Sequence, residues 1–429
     1  MGKRLPLTLR AYRLFSVAAR PIAPLALIVR ARRGKEHRER LGERCGNAGL
    51  GRPPGPLVWI HGASVGELMS VLPLIERIRA REVNVLVTSG TVTSSDLAAQ
   101  RLPAGVIHQF APLDVPAYVR RFFDHWQPDL ALFVESDLWP NRIIEASQRR
   151  VPMILVNGRL SARSFQRWRY LPAAITELLH RLDLCLARTP ADAERLSALG
   201  APRVITSGNL KLDVPAPPYH EGQLAALKQA IGERPVMAAT STHDGEETVI
   251  IEAHRRLAPN FPGLLTVIAP RHPERGPAIA ERVADAGLTA RLRSRRELPD
   301  ASTDIYIADT LGELGLIYRL APVVFIGGSL VRHGGQNPIE AAKLGAAIVH
   351  GPHVWNFAEV YAALDDEHGA EVVADESRLT GVLGMLLAHP TARERVATNA
   401  YNTMKGLGGA LERTLSSLEP YLLQLRLGR

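Results

Sequence analysis

The amino-acid sequence predicts an α/β protein in which a basic N-terminal segment precedes two doubly wound, Rossmann-like domains. From residue 56 onward, short apolar runs alternate with amphipathic stretches, the pattern of parallel strands joined by helices. The alternation stops at the proline-rich stretch Asp213–Tyr219 and resumes at Val236, which indicates a linker between two domains. A chain of 429 residues is long enough for two domains of this kind.

Twelve apolar runs give the candidate strands. The first domain is predicted to contain Leu57–His61, Val83–Thr88, Val106–Phe110, Leu130–Glu135, Met153–Asn157, Leu184–Ala187 and Val204–Ser207. The second is predicted to contain Val236–Thr240, Leu264–Ala269, Ile305–Ala308, Val323–Gly327 and Ala347–His350. We therefore divide the chain into a basic segment (1–44), an N-terminal domain (45–212), a linker (213–222), a C-terminal domain (223–400) and a C-terminal helix (401–429) that packs back on the N-terminal domain. Ligands of open α/β sheets bind outside the carboxyl ends of the strands, so the loops after these runs are the candidate sites.

The positive charge of the chain is concentrated at its N-terminus. The formal net charge is +9, and residues 1–44 hold twelve Lys and Arg against three Glu, so the rest of the chain sums to zero. A nucleic-acid-binding fold carries positive charge along the folded body, so this distribution disfavours a nucleic-acid partner. The two cysteines, Cys45 and Cys185, form no CxxC pattern, which argues against a disulfide framework and a cysteine zinc site.

An apolar stretch, Leu14–Val29, lies between the basic clusters. It holds sixteen residues interrupted by Ser16 and Arg20, whereas a spanning helix needs about 20 apolar residues. Both flanks are positive and no small-residue cleavage site follows, which disfavours a signal peptide. We expect an interfacial or shallowly inserted membrane anchor, with Arg30–Arg44 against anionic lipid. The alternative is a helix docked on the folded body.

The first candidate site is the motif His61–Glu67, which follows a predicted strand and precedes a predicted helix. Its glycines allow a tight turn, and Glu67 is placed at the end of the sheet, where a carboxylate accepts a proton from a substrate. The same residues fit a capping box, with Ser64 as the N-cap and Glu67 reaching back to the backbone N–H of Ser64. The spacing alone does not separate these interpretations.

The second candidate site is Glu135–Asn141, which follows the apolar run Leu130–Val134. Glu135 and Asp137 resemble the acidic motif with which one class of glycosyltransferases holds a metal ion. Metal binding is the second interpretation here, because Pro140 at a helix start and two Rossmann-like halves suit a metal-free fold better. A plain loop with one buried, hydrogen-bonded acid is the remaining alternative.

The strand ends of the second domain carry polar and glycine-rich loops, namely Thr240–Glu247, Pro270–Arg275, Asp309–Glu313, Gly327–Ser329 and Gly334–Glu340. Several of them open a helix, whose free N–H groups are suited to a phosphate. Arg271 and His272 are placed to meet a phosphate or carboxylate, and Glu340 to bind a ribose diol. Ordinary capping, with Asn337 as N-cap and Pro338 at the first helical position, explains some of the same residues. Together the loops predict a nucleotide site.

Motifs of several common enzyme classes are missing from the sequence. It contains no GxxxxGK[ST] loop, no complete GxGxxG and no HExxH. Their absence disfavours P-loop NTPases, dinucleotide oxidoreductases and zincins.

Together these motifs resemble those of the Kdo (3-deoxy-D-manno-octulosonic acid) transferases. The resemblance runs from the N-terminal segment to about Phe357, and its most specific parts are His61–Glu67, Glu135–Asn141, Gly158–Arg163, Gly208–Asp213, Ser241–Glu247, Pro270–Arg275, Asp309–Leu314 and Gly327–Glu340. It implies a GT-B fold with a membrane-anchoring N-terminal segment, an acceptor-binding N-terminal domain and a CMP-Kdo-binding C-terminal domain. It also implies no cofactor or metal, and transfer to a lipid A precursor of the lipid IVA type. That reaction belongs to lipopolysaccharide core biosynthesis at the cytoplasmic face of the inner membrane.

The resemblance also implies roles for individual residues. Glu67 matches the general base of an inverting transfer. The acceptor-side or structural set is Ser64, Gly66, Glu135, Asn141 and Arg159. The donor-binding set is Lys211, Ser241, Thr242, His243, Pro270, Arg271, His272, Leu311, Gly312, Glu313, Gly328, Ser329, Asn337, Pro338, Ile339 and Glu340. One departure falls in the presumed nucleotide loop, where Gln336 stands in place of a common His.

Two other functions fit part of the sequence. A GT-B transferase for a UDP-sugar shares the architecture but not the set formed by Glu67, Glu135–Asn141 and Pro270–Arg275. A non-enzymatic membrane adaptor explains the N-terminal segment but not the anion-binding loops.

Overall fold

The computed structural model describes residues 4–427, which form two compact units. The first comprises the chain up to Val214 together with the segment from Gly408 onward, and the second comprises Pro215–Leu407. The division falls inside the predicted linker 213–222. The C-terminal segment that belongs to the first unit begins at Gly408 rather than at the expected residue 401, because residues 401–407 complete a helix of the second unit.

The first unit is a seven-stranded parallel sheet with helices on both faces. Its strands are β1 (Leu57–His61), β2 (Asn84–Ser89), β3 (Ile107–Phe110), β4 (Leu130–Val134), β5 (Met153–Gly158), β6 (Leu184–Ala187) and β7 (Val204–Thr206), in the order β3-β2-β1-β4-β5-β6-β7. Its helices before the linker are α1 (Leu7–Ala18), α2 (Ala23–Arg32), α3 (Leu41–Arg44), α4 (Val65–Arg79), α5 (Val92–Arg101), α6 (Pro116–Trp126), α7 (Pro140–Gln148), α8 (Ala162–Arg169), α9 (Pro172–Leu179) and α10 (Pro190–Ala198). All seven strands lie within a residue of their expected bounds.

Alternate residues of β1 are buried on opposite faces of the sheet. Trp59 belongs to a core cluster with α6, α7 and α9, whereas Ile60 belongs to a second cluster with α4. A parallel strand that is buried on both faces is apolar at every position, which is why β1 was recognisable as a continuous run. Trp59 packs against Phe122 and Phe133 with ring centroids 4.9 and 5.3 Å apart.

Helices α1 and α2 dock on the first unit by one face and expose apolar residues on the other. Leu9 and Leu27 are buried, whereas Leu14 and Phe15 are 72% and 73% exposed. Leu9 belongs to the same core cluster as Trp59. Within residues 4–427 no single helix is long and apolar enough to cross a membrane, although α1 and α2, bent by 67°, meet that requirement as a pair by length and composition alone.

The second unit is also a seven-stranded parallel sheet. Its strands are β8 (Val236–Thr242), β9 (Leu265–Pro270), β10 (Ala290–Leu292), β11 (Ile305–Ile307), β12 (Val323–Ile326), β13 (Ala347–His350) and β14 (Ala370–Val372), in the order β10-β11-β9-β8-β12-β13-β14. Its helices are α11 (Glu221–Ile231), α12 (Glu246–Leu257), α13 (Gly276–Asp285), α14 (Leu314–Leu320), α15 (Ile339–Lys343), α16 (Ala358–Asp366), α17 (Glu376–Ala388) and α18 (Pro390–Leu407). The sequence missed β10 and β14, because these three-residue edge strands are only partly buried and contain Arg291 and Glu371.

A last helix, α19 (Ala410–Leu427), belongs to the first unit. Leu415, Leu418 and Leu422 join the core cluster that contains Ile60. The carboxylate of Asp213 accepts the backbone N–H groups at the start of α19, those of Gly409 and Leu411, at 2.7 and 2.5 Å. The first unit is therefore completed by both ends of the described chain.

The order of strands reverses between β1 and β4 in the first sheet and between β8 and β12 in the second. Ligands of doubly wound sheets bind at such reversals, outside the carboxyl ends of the strands. In the first unit, the motif His61–Glu67 begins at the last residue of β1, and Glu135 directly follows β4. In the second unit, His243 directly follows β8, and Gly327–Ser329 directly follows β12. The fold thus brings the predicted motifs of each unit to one edge of its sheet.

Candidate active site

Glu67 lies in the first turn of α4, at the strand reversal of the first sheet. The hydroxyl of Ser64, the N-cap, accepts the backbone N–H of Glu67 and donates to Oε1 of its carboxylate at 2.9 Å. Oε2 accepts the backbone N–H of Ala63 at 2.7 Å. The predicted capping box is therefore present with one correction: the carboxylate reaches the N–H of Ala63 rather than that of Ser64. The turn after β1 places Ala63 N–H nearer to the side chain.

The environment of Glu67 shifts its proton affinity. Burial raises the pKa of Glu67 to about 7, hydrogen bonds from Ala63 and Ser64 oppose the shift, and the charges of Glu135 and Asp137 add to it. A carboxyl group with a pKa near the working pH is suited to general-base catalysis. Glu67 remains partly exposed, and the neighbouring Gly66 is exposed.

Three separate motifs meet at Glu135, directly after β4. Its Oε1 accepts the ammonium of Lys211 at 2.7 Å, and its backbone O accepts the N–H of Arg159 at 3.4 Å. The backbone of Glu135 is left-handed (φ 61°), a conformation that costs free energy in a residue with a side chain and is often found at functional sites. Lys211, expected on the donor side, is thus the ion-pair partner of Glu135 within the first unit.

The buried side chains of His61 and Arg142 contact the partly buried carboxylate of Asp137, two residues further along the chain from Glu135. Nε2 of His61 is 2.6 Å from Oδ2 of Asp137 and 2.7 Å from Nη1 of Arg142. Burial and the charge of Arg142 lower the pKa of His61. Burial alone would raise the pKa of Asp137, but His61 and Arg142 outweigh it and lower that pKa. The contacts with His61 and Arg142 therefore favour the anionic form of Asp137.

These contacts help to decide between the interpretations of the motif Glu135–Asn141, namely metal binding, acceptor binding and a structural role. Of the two roles expected for Asn141, the geometry supports the structural one, because its side chain is buried and donates to the backbone O of Asp114 at 2.6 Å. Glu135 pairs with Lys211, and Asp137 contacts His61 and lies near Arg142. Both carboxylates of the alternative metal motif thus have cationic or imidazole partners. Within residues 4–427 no group of three or more His, Cys, Asp or Glu is arranged to hold a metal ion.

In the second unit, a buried carboxylate holds the glycine-rich loop after β12 from inside. Glu246 accepts the backbone N–H groups of Gly328 (2.7 Å), Ser329 (3.0 Å), Leu330 (3.0 Å) and His243 (2.9 Å). The side chain of Ser329 is fully buried and hydrogen-bonded to neighbouring backbone. The N–H groups of Gly328 and Ser329, two residues expected to bind the donor, therefore already bind an internal anion. Direct contact of a ligand with them would require Glu246 to release them.

Three histidines face one another at the ends of β8, β9 and β12. The ring of His243 stacks on His333 with centroids 4.2 Å apart and meets His272 edge-on at 6.0 Å. Its Nε2 is 3.0 Å from Nε2 of Gln336. The pKa of His243 is lowered to about 4. Burial is the largest cause, and the charges of His333, His272 and Arg271 add to it. Arg271 and His272 are exposed, so this edge offers cationic and imidazole groups to an anion.

The carboxyl end of β8, together with the loop that follows it, has an outer and an inner side. Ser241 is partly exposed in a left-handed conformation (φ 55°). Thr242 is fully buried and donates to Oε1 of Glu247 at 2.9 Å, and Arg275 donates to the same oxygen at 2.6 Å. Pro270 ends β9, beside this loop, where it pairs with Thr242. Thr242 therefore supports the loop, whereas Ser241 and His243 lie at its surface.

The loop Asp309–Glu313 after β11 is held by an ion pair. Glu313 accepts from Arg293 at 2.8 and 3.1 Å and from the hydroxyl of Thr310, and the contact with Arg293 lowers the pKa of Glu313. Leu311 is 80% exposed, and Gly312 has open space around it. Leu311 and Gly312 thus form a surface-exposed tip on a fixed base.

The last predicted loop opens α15, which begins at Ile339 with Pro338 as its N-cap, one residue later than expected. Asn337 nevertheless caps the helix, because its Oδ1 accepts the N–H of Ile339 at 3.0 Å. Its Nδ2 donates to Oε1 of Glu340 at 3.3 Å, and burial raises the pKa of Glu340. Glu340 is thus partly desolvated and retains acceptor capacity for a hydroxyl.

The sequence found the loops but missed partners that hold them. Asp114, Arg142, Glu246 and His333 were not among the expected site residues, although Arg142 directly follows the Glu135–Asn141 motif. Each has a partner between 27 and 102 residues away in the chain, so local spacing does not mark these contacts.

The raised pKa of Glu67 predicts a pH-dependent loss of stability. Between the ordinary value of 4.5 and about 7, the folded protein keeps a proton at Glu67 that the unfolded chain has released, so the free energy of unfolding falls as pH rises through this window. Glu67→Gln does not titrate, and we expect it to lose less stability than the wild type between pH 5 and 8, by on the order of 1–3 kcal/mol. Denaturant melting measures this, with the exposed Glu76→Gln of the same helix as the control. Parallel losses in Glu67→Gln and wild type would contradict the raised pKa.

Comparisons with known proteins agree with this geometry. The family model of 3-deoxy-D-manno-octulosonic-acid transferase (kdotransferase) matches residues 38–214. The chain is 34% identical over 393 residues to the 3-deoxy-D-manno-octulosonic acid transferase of Haemophilus influenzae, covering 90% of this chain and 92% of that protein. It is 36% identical over 432 residues to the transferase of the same name from Bordetella pertussis, covering 95% and 99%.

Solved structures bear on the fold. A glycosyltransferase from Rickettsia africae matches with a TM-score of 0.59 at 11% identity, covering 86% of this chain and 99% of that chain. A UDP-GlcNAc 2-epimerase from Neisseria meningitidis matches with a TM-score of 0.58 at 14% identity, covering 85% and 100%. The predicted two-domain α/β architecture is confirmed. Together with the identities over most of its length, this shows that the chain belongs to the Kdo transferase family and is a glycosyltransferase of the GT-B fold.

Proposed function

We propose that the protein catalyses an inverting transfer of Kdo from CMP-Kdo to a lipid A precursor of the lipid IVA type, with Glu67 as the general base and without a metal ion. Membership of the Kdo transferase family supplies the reaction class. The observation that carries the mechanism is a partly exposed carboxyl group at the strand reversal of the first sheet, with its pKa raised to about 7.

In the proposed step, ionised Glu67 accepts the proton of the acceptor hydroxyl. The hydroxyl oxygen forms a bond to the anomeric carbon of Kdo, while the bond from that carbon to the phosphate oxygen of CMP breaks and CMP leaves. Attack from the side opposite to CMP inverts the anomeric configuration. Each oxygen of Glu67 already accepts one hydrogen bond, from Ala63 or Ser64, which fixes the carboxylate and leaves lone pairs for the acceptor.

The charges near Glu67 support this role. Glu135 and Asp137 raise its pKa, and a more basic carboxylate removes a hydroxyl proton more effectively. Lys211 pairs with Glu135, and Arg142 lies near Asp137, so neither anion is left without compensation at the site. The carboxyl group that is least compensated is therefore the proposed base.

The donor is proposed to bind at the strand ends of the second unit. CMP leaves with charge on a single phosphate, so no metal clamp for a diphosphate is needed. Arg271 and His272 are exposed there, and the imidazoles of His243 and His333 lie beside them. Fixed donors of this kind stabilise charge that develops on a leaving phosphate. Glu340 is proposed to accept the ribose hydroxyls.

The acceptor is proposed to reach the first unit from the cytoplasmic face of the inner membrane. Its acyl chains remain in the bilayer, so the enzyme must work at the membrane surface. Leu14, Phe15, Ile22 and Leu25 present apolar side chains that are each more than half exposed. Exposed basic residues accompany them, namely Arg10, Arg20, Arg32, Arg33 and Lys35. Exposed apolar and basic side chains on one segment are typical of an interfacial anchor on anionic lipid.

The donor proposal predicts nucleotide selectivity without a metal. CMP should raise the melting temperature more than UMP does, in buffer with a chelator, because the site is proposed to recognise the cytidine and one phosphate. Arg271→Ala should lose most of this shift. The exposed Arg255→Ala of the same unit, which removes an ion pair with Glu252, should keep it. Equal shifts with UMP, or a shift that appears only with Mg²⁺, would contradict this assignment.

The membrane proposal predicts that one charge on α1 releases the protein. Burial of a leucine side chain is worth about 1.5–3 kcal/mol, so Leu14→Glu should lower the affinity for anionic vesicles roughly tenfold or more. Leu423→Glu makes the same change at an exposed position of α19 and should bind as the wild type. Co-sedimentation with vesicles at physiological salt measures both. Equal binding of the two variants would show that α1 does not contact the bilayer.

A further inference from the structure

A buried chain of hydrogen bonds joins α1 to the motif after β4. Tyr12 donates its hydroxyl to Oδ2 of Asp114 at 2.9 Å, and Nδ2 of Asn141 donates to the hydroxyl of Ser16 at 3.1 Å. The partners are 102 and 125 residues apart in the chain. Ser16 and Asn141 are 7% and 3% exposed. Hydroxyl and amide groups are costly to bury without partners, so these contacts fix α1 at one place on the first unit.

Asp114 caps the start of α7. Its two carboxylate oxygens accept the backbone N–H groups of Asn141 and Arg142 at 3.0 and 3.1 Å, donors that a helix start leaves unpaired. Tyr12 supplies a third donor to the same carboxylate. Burial raises the pKa of Asp114, and the charge of Arg142 and these hydrogen bonds oppose the shift. Each donor therefore helps to keep a buried anion ionised and the first turn of α7 in place.

Arg142, on that first turn, continues the connection to Glu67. Its Nη1 is 2.7 Å from Nε2 of His61 and 3.9 Å from Oδ2 of Asp137. Asp137 and Glu135 are the two anions whose charges raise the pKa of Glu67. The position of α7 therefore decides how far the charge of Asp137 is neutralised beside Glu67.

From this geometry we propose that Tyr12 and Ser16 are positioning residues for the transfer reaction, which hold α7 so that Arg142 neutralises Asp137 beside Glu67. Helix α1 then has two roles, because its exposed face contacts the membrane and its buried face sets the geometry of the site. The proposal rests on the proposed role of Glu67 as the base.

The charged and titratable groups around the junction give the direction of the effect. These groups lie on α1, α3 and α7, at the ends of β1, β3 and β4, and in the turn Leu210–Leu212. They are Tyr12, Arg44, His61, Asp114, Glu135, Asp137, Arg142 and Lys211. When α7 is no longer held, Arg142 neutralises Asp137 less, and the anion acts more strongly on Glu67. A nearby negative charge raises the pKa of a carboxyl group, so the base then needs a higher pH to ionise.

The experiment is Tyr12→Phe, which removes one hydroxyl and keeps the ring. Kdo transfer is measured across pH with a detergent-dispersed acceptor, so that membrane docking is not required. We expect kcat near pH 7 to fall roughly 3- to 30-fold, with the acid limb of the pH profile shifted to higher pH and the rate recovering under alkaline conditions. The KM for CMP-Kdo and vesicle binding should not change. Ser16→Ala should shift the limb in the same direction.

The control is Tyr170→Phe, the same change at a residue that is 83% exposed, which should match the wild type. A purely structural role of α1 predicts a lower melting temperature with a proportionate loss of rate at every pH. An unshifted acid limb in both Tyr12→Phe and Ser16→Ala overturns the proposal.

Glu67→Gln, assayed in parallel, separates the two proposals. Near wild-type kcat in Glu67→Gln overturns the assignment of the base and the positioning proposal with it. An inactive Glu67→Gln together with an unshifted limb in both Tyr12→Phe and Ser16→Ala overturns the positioning proposal alone.

Discussion

Neutralisation of buried charge at the carboxyl ends of β1 and β4 constrains the first unit more than any other interaction. Asp114, Asp137 and Arg142 are largely or fully removed from water, and an unpaired charge in that position costs several kcal/mol. Asp114 is satisfied by the first turn of α7 and by Tyr12 of α1, and Asp137 by His61 with Arg142 nearby. The position of α7 and the docking of α1 follow from these requirements. Glu67 has no cationic partner among the causes of its shift, and its pKa is raised to about 7.

The second unit uses an internal carboxylate in a comparable way. Glu246 fills the concave surface formed by backbone N–H groups of the loop after β12, a geometry suited to an anion. The glycines there are needed for the backbone path: a Cβ on Gly327 would lie 2.6 Å from the backbone O of Ser241. Glu246 therefore already occupies the N–H groups of this loop. For this reason the proposed donor site relies on side chains at the surface, above all Arg271 and the histidines around His243.

The sequence was sufficient for the parts of the fold that depend on local pattern. Continuous apolar runs such as Leu57–His61 located the buried strands, and the motifs after them fell at the strand reversals. Two short edge strands, β10 and β14, were not predicted, because they are only partly buried. Glu67 could be placed, but spacing could not separate capping from catalysis. The structure shows that the carboxylate caps and is also desolvated. Asp114 could not be identified, because its role depends on Tyr12 and Asn141, which are 102 and 27 residues away.

The central claim is that Glu67 acts as a base, and the most direct test is the turnover of Glu67→Gln with CMP-Kdo and a lipid A precursor, with products counted by mass spectrometry. The glutamine keeps the shape and hydrogen-bonding capacity needed at the start of α4 but cannot accept the proton. We predict that kcat falls by roughly 10²–10⁴, the usual contribution of a positioned base, while CMP binding is retained and the variant still melts cooperatively. A Glu67→Gln variant that binds CMP and transfers Kdo at a rate near that of the wild type would contradict the account, and Glu135 would then be the next carboxylate to test.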